Sequence, residues 1–131
     1  MPETMKRRTF FQRLFGSLGA VAVNPAIGAD NRSVLIQESA IAGFQFHRGE
    51  AIWGSLAVGA RLSLVREPSN AHDPDAVAVF FKQEMLGYVP RAENRAVAQM
   101  LDRGERLEAS ISKLSISEDP WERIRITVTL V

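Results

Sequence analysis

Hydrophobic and polar residues alternate with a period of two over several stretches of the chain. The alternation is most regular near the C-terminus, where Ile124, Ile126, Val128 and Leu130 are separated by arginine and two threonines. Because successive side chains of a strand point to opposite faces, this pattern predicts a strand with one buried face over 124–130. Apolar or alternating runs predict further strands at 34–36, 41–46, 62–64, 77–81 and 107–111. The short segment 86–90, which lies before the strand at 107–111, is predicted to end the preceding portion of the sheet.

The spacing changes to that of a helix over 92–103. One side of this segment is apolar and the other is charged, and Gly104 is expected to end it. A further helical turn or two is predicted over 50–56, and its Trp53 is interpreted as part of the core rather than as a ligand platform. The apolar residues assigned to the two helical faces are Ala96, Val97, Met100 and Leu101 in the first segment, and Ile52, Trp53 and Leu56 in the second.

A polar loop over 67–75 separates two of the predicted strands. Pro68 and Pro74 lack the backbone donor of a sheet, while Asn70 and Asp73 compete for backbone hydrogen bonds. Local chemistry therefore predicts a strand, a fixed loop and a returning strand. Several short strands with one clear helix favour a small, mostly antiparallel barrel or sheet.

Composition limits the class of protein. The chain has 131 residues, of which 46% are hydrophobic and 24% charged, and this mixture is typical of one globular domain with a modest core. There is no cysteine, which excludes disulfides and any cysteine-ligated zinc site. No serine nucleophile motif, glycine-rich phosphate loop or pair of catalytic carboxylates is recognisable, so no enzymatic activity and no cofactor are predicted.

The first 29 residues have the three parts of an export leader: a basic start, a short apolar middle and small residues before a candidate cleavage site after Ala29. The paired Arg7 and Arg8, followed by two aromatics, resemble a twin-arginine leader, which carries folded cargo. This interpretation gives a leader over 1–29 and a domain over 30–131, in a periplasmic or exported protein. The alternative is a basic surface helix on a cytoplasmic protein. The apolar run is shorter than the roughly 20 residues that span a bilayer, so no transmembrane span is predicted.

Charge is distributed unevenly between these two parts. The leader has four basic residues and Glu3, whereas the chain from Asp30 onward has 12 basic and 14 acidic residues, a net charge of −2. Broad binding to duplex backbone is favoured by a positive balance, because neutralised phosphates provide that affinity. Any contact of the domain with a nucleic acid is therefore expected to be local.

The chain from about residue 41 to the C-terminus resembles a HIRAN domain. The resemblance implies a compact OB-like antiparallel β-barrel with two short helices. It also implies a DNA-binding role, which in chromatin-remodelling and fork-repair members is capture of the free 3′ end of single-stranded DNA. The residues that carry the resemblance are Ala42-Gly43-Phe44-Gln45-Phe46, Gly59 with Leu62 and Leu64, Arg66-Glu67-Pro68, Asn70 and Asp73, Ala76-Val77-Ala78-Val79, Gly87-Tyr88-Val89-Pro90, and Leu101-Asp102-Arg103-Gly104.

By position, the resemblance also implies a binding pocket. Phe46 and Tyr88 would offer faces on which a base stacks. Asp73 would accept a hydrogen bond from a terminal hydroxyl and repel a terminal phosphate, and Arg91 would hold the adjacent phosphate. The implied nucleic-acid-binding residues are Gln45, Phe46, His47, Asn70, His72, Asp73, Tyr88 and Arg91.

Each of these residues also fits another role. Asn70 and Asp73 suit the capping of their own loop equally well, and Phe46 and Tyr88 suit the barrel core. His47 and His72, together with Asp73 and Asp75, leave a metal-dependent hydrolase as a third hypothesis, although no fixed metal spacing is present. The second hypothesis is an exported protein-interaction domain that has the fold without DNA binding.

Overall fold

The computed structural model describes residues 33–131, so the predicted leader over 1–29 lies outside the described residues and stays a prediction. No helix within residues 33–131 has the length and apolarity needed to cross a membrane. The described part consists of six strands and one α-helix, joined by short 3₁₀ turns. These elements are β1 (Val34–Ala40), β2 (Arg61–Arg66), β3 (Val77–Phe81), β4 (Glu84–Tyr88), α1 (Arg95–Asp102), β5 (Leu107–Leu114) and β6 (Ile124–Leu130).

All six strands belong to one antiparallel sheet with the order β1-β6-β5-β2-β3-β4. The sheet bends within β2, because Arg61 and Leu62 pair with β5 whereas Ser63–Arg66 pair with β3. Ala42, two residues after β1, forms a bridge with Tyr88 of the other end strand, β4, in which their amides and carbonyls bond reciprocally at 2.8 and 2.9 Å. The sheet therefore closes on itself, and the predicted small, mostly antiparallel β architecture is confirmed.

Alternation gives the core its inward-facing residues. Ile124, Ile126 and Val128 on β6 are fully buried, as the period-two pattern predicts. The predicted helix is shorter than 92–103, because a 3₁₀ turn over Arg91–Glu93 precedes α1. The buried side of α1 differs from the predicted one: Ala96, which the spacing assigns to the apolar face, is exposed, whereas Ala98, which it does not assign there, is buried. Gly104 ends the helix in the left-handed region, with φ of 82°.

The segment 41–46 is not the strand that its apolar run predicts. Ile41 is buried and Ala42 forms the bridge, but Gly43 then takes a left-handed φ of 75° and turns the chain into a 3₁₀ turn over Phe44–Phe46. Phe44 enters the core, and Phe46 is 77% exposed, which excludes it from the barrel core. The left-handed φ turns the chain out of the extended form and so ends the strand. Glycine occupies this position because residues with a Cβ rarely adopt such a φ.

The predicted helical segment 50–56 contains only a 3₁₀ turn over Trp53–Ser55. Leu56 is buried as expected, whereas Ile52 and Trp53 are half-buried against the edge of the core. The segment lies between the barrel and solvent, and it supports the Phe44 side chain rather than filling the interior.

Candidate functional site

The polar loop between β2 and β3 is held by Asn70. Its Oδ1 accepts hydrogen bonds from the amides of His72 and Asp73 at 2.8 and 3.1 Å, and its Nδ2 donates to Glu67 Oε1 at 3.0 Å. Side chains of this kind fix a loop by replacing the bonds that a sheet would provide. The predicted capping role of Asn70 is therefore observed, and it fixes the position of Asp73.

Asp73 is a half-buried carboxylate with both oxygens bonded. Oδ1 accepts the amide of Asp75 at 2.9 Å, and Oδ2 accepts the Nδ2 of Asn94 at 2.8 Å. Asn94 is 2% exposed and immediately precedes α1, so a buried amide ties the loop to the start of the helix. Each carboxylate oxygen has a second lone pair, which leaves Asp73 able to accept a further hydrogen bond.

These contacts lower the pKa of Asp73 below its usual range. The largest cause is the hydrogen bond from the Asp75 amide, which partial burial opposes, and the Asn94 side chain and the charges of Arg91 and Arg66 add to the lowering. Asp73 is therefore a carboxylate at neutral pH. The charge of Arg91, which follows β4 on an exposed 3₁₀ turn, acts on this same loop.

We expect the bonds to Asp73 to survive acidification until the carboxylate is protonated. Because the folded pKa is lowered, the stabilising contribution is fully present above the ordinary value of 3.8 and is lost as the pH falls through the lower folded value. The Asp75 amide proton shift, followed by NMR, should titrate with a midpoint below 3.8. An Asp73→Asn variant should lack this transition, and a midpoint above the ordinary carboxyl value would contradict the assignment.

Arg66 anchors the far end of the same loop. Its Nε and one terminal nitrogen bond both oxygens of Asp102 at 2.9 and 3.1 Å, while the other terminal nitrogen donates to the carbonyl of Ala76 at 3.0 Å. Only 14% of the Arg66 side chain is exposed. A two-bond contact of this kind fixes orientation as well as distance, so β2, the loop and α1 form one rigid frame.

Tyr88 connects the loop to β4, the end strand next to β3. Its hydroxyl donates to Glu67 Oε1 at 2.9 Å, which is the oxygen that also accepts Asn70. Its ring meets the ring of His47 edge to face, with centroids 5.9 Å apart. Burial first, and the neighbouring Glu67 carboxylate second, raise the pKa of Tyr88, so the phenol stays neutral and remains a donor at physiological pH.

The 3₁₀ turn that carries the other predicted residues is built around Phe44. The Phe44 ring lies edge to face with Trp53 at 6.0 Å, and the guanidinium of Arg123 lies over both rings, 4.2 Å from that of Trp53. Gly49 faces the same ring, and a Cβ there would lie 2.0 Å from it. With Phe44 fixed in this way, the side chains of the next two residues, Gln45 and Phe46, are exposed.

The predicted site residues are brought together to different extents. A continuous chain of contacts runs from His47 through Tyr88, Glu67 and Asn70 to Asp73. His72 joins only through its backbone amide, since its side chain is exposed. Phe46 stands apart: within residues 33–131 its ring makes no aromatic contact with Tyr88, whose aromatic neighbour is His47.

Two residues of this arrangement have no role in the sequence-based prediction. Glu67 joins Tyr88 to the loop, and Asn94 holds Asp73. An asparagine immediately before an amphipathic helix indicates a helix cap, but here the Asn94 amide bonds a residue 21 positions away instead. In the sequence, the position of Asn94 immediately before the helix is the only signal of a structural role for this residue.

The metal hypothesis receives no geometric support from this loop. Across residues 33–131, no three histidine, aspartate or glutamate side chains lie close enough to hold a metal ion. His72 points to solvent and Asp73 is bonded to Asp75 and Asn94.

Comparison with known proteins agrees with this architecture. A rice (Oryza sativa subsp. japonica) Fanconi-associated nuclease 1 homolog is 36% identical over 78 residues, which are 56% of this chain, and the chain spans only 8% of that protein. A solved protein from Lactobacillus plantarum matches with a TM-score of 0.65 and 26% identity, covering 75% of this chain and 94% of its own. The HIRAN domain of human HLTF matches with a TM-score of 0.58 at 17% identity, covering 75% and 78% of the two chains, and this likeness concerns the fold.

The family assignment follows from the extent of the match. The sequence pattern of the HIRAN domain matches residues 35–131, which include β2 to β6, all of β1 except Val34, and the whole polar loop. The chain therefore belongs to the HIRAN domain family, whose members are generally DNA-binding modules.

Proposed function

We propose that this domain binds single-stranded DNA and holds its 3′ end at the polar loop. The observation that carries the proposal is a half-buried carboxylate, Asp73, fixed by two hydrogen bonds and linked through Asn70 and Glu67 to the Tyr88 and His47 rings. A fixed acceptor beside aromatic rings suits a nucleotide that presents both a hydroxyl and a base.

The charge of Asp73 explains why an end is favoured over an internal nucleotide. A terminal 3′-hydroxyl donates a hydrogen bond to the carboxylate, whereas an internal phosphodiester of DNA has no such donor and carries a negative charge. A terminal phosphate is repelled for the same reason. Asp73 is ionised at neutral pH, and its lowered pKa, caused first by the Asp75 amide, extends this selectivity to more acidic solution.

The remaining residues give the contacts that a terminal nucleotide requires. The Tyr88 and His47 rings form one aromatic wall, and the exposed Phe46 offers an open ring face on the neighbouring turn. Arg91, whose charge acts on the same loop, neutralises the phosphate that precedes the terminal sugar. With a net charge of −2 from Asp30 onward, affinity comes from this local set rather than from a basic face.

The test compares fluorescent oligonucleotides that end in a 3′-hydroxyl or a 3′-phosphate, by fluorescence polarisation. We expect the phosphate to bind about 10- to 100-fold more weakly, the range given by one hydrogen bond to a charged group. Asp73→Ala should abolish the difference between the two oligonucleotides. Asp75→Asn is the matched control, because it removes one negative charge from the same loop and leaves both bonds to Asp73 available.

Two outcomes would contradict the proposal: equal binding of both oligonucleotides by the native chain, or discrimination that survives in Asp73→Ala. Thermal unfolding of each variant must accompany the binding data, since Asp73→Ala leaves the buried Asn94 amide without its acceptor, at a cost of about 1–3 kcal/mol. Absence of binding to any oligonucleotide would favour the protein-interaction hypothesis instead.

A further inference from the structure

A groove lies over β1, β6 and β5. Its volume is about 340 Å³, and Ala40 of β1, Arg125 of β6 and Lys113 of β5 lie side by side in it as a row across three strands. Ser115, Trp121 and Glu122 complete its lining. None of these side chains belongs to the pocket proposed for the 3′ end.

The two cations in this row are neighbours of like charge. Lys113 and Arg125 are paired across β5 and β6, and both are exposed. Like charges directly opposite each other on a sheet are unfavourable. Among residues 33–131 neither takes part in an ion pair, and Glu122 accepts a hydrogen bond from the hydroxyl of Ser117 at 2.9 Å. Within residues 33–131 the two cations therefore have no carboxylate at ion-pair distance, and Glu122 is the acidic residue of the groove lining.

A β-bulge creates this pairing. Ile111 lies opposite Ile126, but the register shifts by one residue before Lys113, which lies opposite Arg125. With a regular ladder, Ser112 would occupy the position opposite Arg125, and Lys113 would point to the other face. Bulges redirect side chains in this way and are common beside functional sites.

Trp121 gives the groove an aromatic wall. Its side chain is 58% exposed, on a 3₁₀ turn over Pro120–Glu122 that contacts the Phe44–Phe46 turn. The groove therefore borders the turn that carries Phe46. An open indole beside two cations matches the composition of single-strand binding surfaces, where bases stack and phosphates are neutralised. A free inorganic anion would contact only the two cations and not the indole.

We propose that this groove holds the nucleotides that lie immediately 5′ of the bound end, with Trp121 stacked on a base and Lys113 and Arg125 against phosphates. The proposal rests on the single-strand function proposed above and extends it from the terminal nucleotide to the adjoining strand. It explains how a domain with a net charge of −2 gains affinity without a broad basic face.

The experiment varies strand length with the 3′-hydroxyl kept. Polarisation titrations compare a dinucleotide with a six-nucleotide strand, in the native chain and in Trp121→Ala. The longer strand should bind the native chain more tightly, and Trp121→Ala should reduce its affinity about 5- to 100-fold while leaving the dinucleotide unaffected. A strand with abasic sites at the 5′ positions should show little response to Trp121→Ala.

A Lys113→Gln/Arg125→Gln double variant tests the phosphate contacts. Two lost contacts should reduce the slope of log affinity against log salt by about 1.4 for single strands. Lys82→Gln/Arg106→Gln is the control, since it removes the same charge from exposed positions outside the groove. Equal effects of the two double variants would overturn the groove assignment.

The two proposals fail in different ways. Two results contradict the groove proposal and leave the end-pocket proposal intact. Either the chain prefers a 3′-hydroxyl but binds the longer oligonucleotide no more tightly, or the longer oligonucleotide binds more tightly and Trp121→Ala does not reduce that affinity. A length gain that depends on Trp121, without preference for a 3′-hydroxyl, supports the groove and overturns the end pocket.

Discussion

A Gly87→Ala substitution is expected to lower the free energy of unfolding by about 3–5 kcal/mol. Gly87 has φ of 148°, and a Cβ there would lie 2.4 Å from the carbonyl oxygen of Ala42 and 2.7 Å from the Ile41 side chain. The oxygen belongs to the bridge that closes the sheet, and it cannot move without breaking the bonds between Ala42 and Tyr88. The added methyl therefore meets backbone that has no room to yield.

Urea denaturation of the domain measures this loss, with Gly59→Ala as the control. Gly59 also has a positive φ, 92°, but a Cβ there would meet nothing within 4 Å. The control should cost only the backbone term, about 1–2 kcal/mol. If the two variants were equally stable, the close approach of β4 to Ala42 would not contribute, and the closed form of the sheet would be in question.

A Gly49→Ala substitution should destabilise the domain by about 2–3 kcal/mol and also weaken oligonucleotide binding. The new Cβ would lie 2.0 Å from the Phe44 ring, which is 1% exposed and held by Trp53 and Arg123. The ring can move only by displacing the 3₁₀ turn that it anchors. Because Gln45 and Phe46 follow Phe44 directly in that turn, their positions change with it.

Denaturation and polarisation measurements on the same protein samples separate the two effects. Gly54→Ala is the matched control: its Cβ would meet nothing within 4 Å, and its unfolding free energy should change by no more than about 0.5 kcal/mol. Oligonucleotide affinity should fall in Gly49→Ala at temperatures where the variant is still folded, and stay unchanged in Gly54→Ala. If Gly49→Ala were destabilised but bound the oligonucleotide with unchanged affinity, the Phe44–Phe46 turn would not contact the bound oligonucleotide.

The strands were predictable where burial alone decides the structure. The alternation over 124–130 reports which side chains face the core, and β6 follows it. The segment 41–46 is equally apolar, but its course depends on the backbone angle of Gly43, which hydrophobic periodicity does not record. The burial of Ala98 in place of Ala96 depends on how α1 is rotated against the sheet, which the residue types do not record because both positions are alanine.

The site was predictable to the extent that its bonds are local. Asn70 bonds amides two and three residues away, and the residue types of the loop are enough to predict such contacts. The bonds of Asn94 to Asp73 and of Tyr88 to Glu67 each span 21 residues and exist only once the sheet has closed. The placement of Lys113 opposite Arg125 depends on a register shift, for which residue types alone give no indication.

Few backbone bonds close the barrel: within residues 33–131, the segment 42–48 is joined to β4 by the reciprocal pair of Ala42 and Tyr88 and by the bond from the Arg48 amide to the Met85 carbonyl. Tyr88 also reaches the polar loop through its hydroxyl. Local opening between the segment 42–48 and β4 would carry His47 away from the Tyr88 ring, while Tyr88 stays bonded to Glu67 of the polar loop. A ligand that used both rings would bind with an affinity reduced according to the fraction of molecules that are open. These few backbone contacts therefore determine how far the aromatic wall is preorganised.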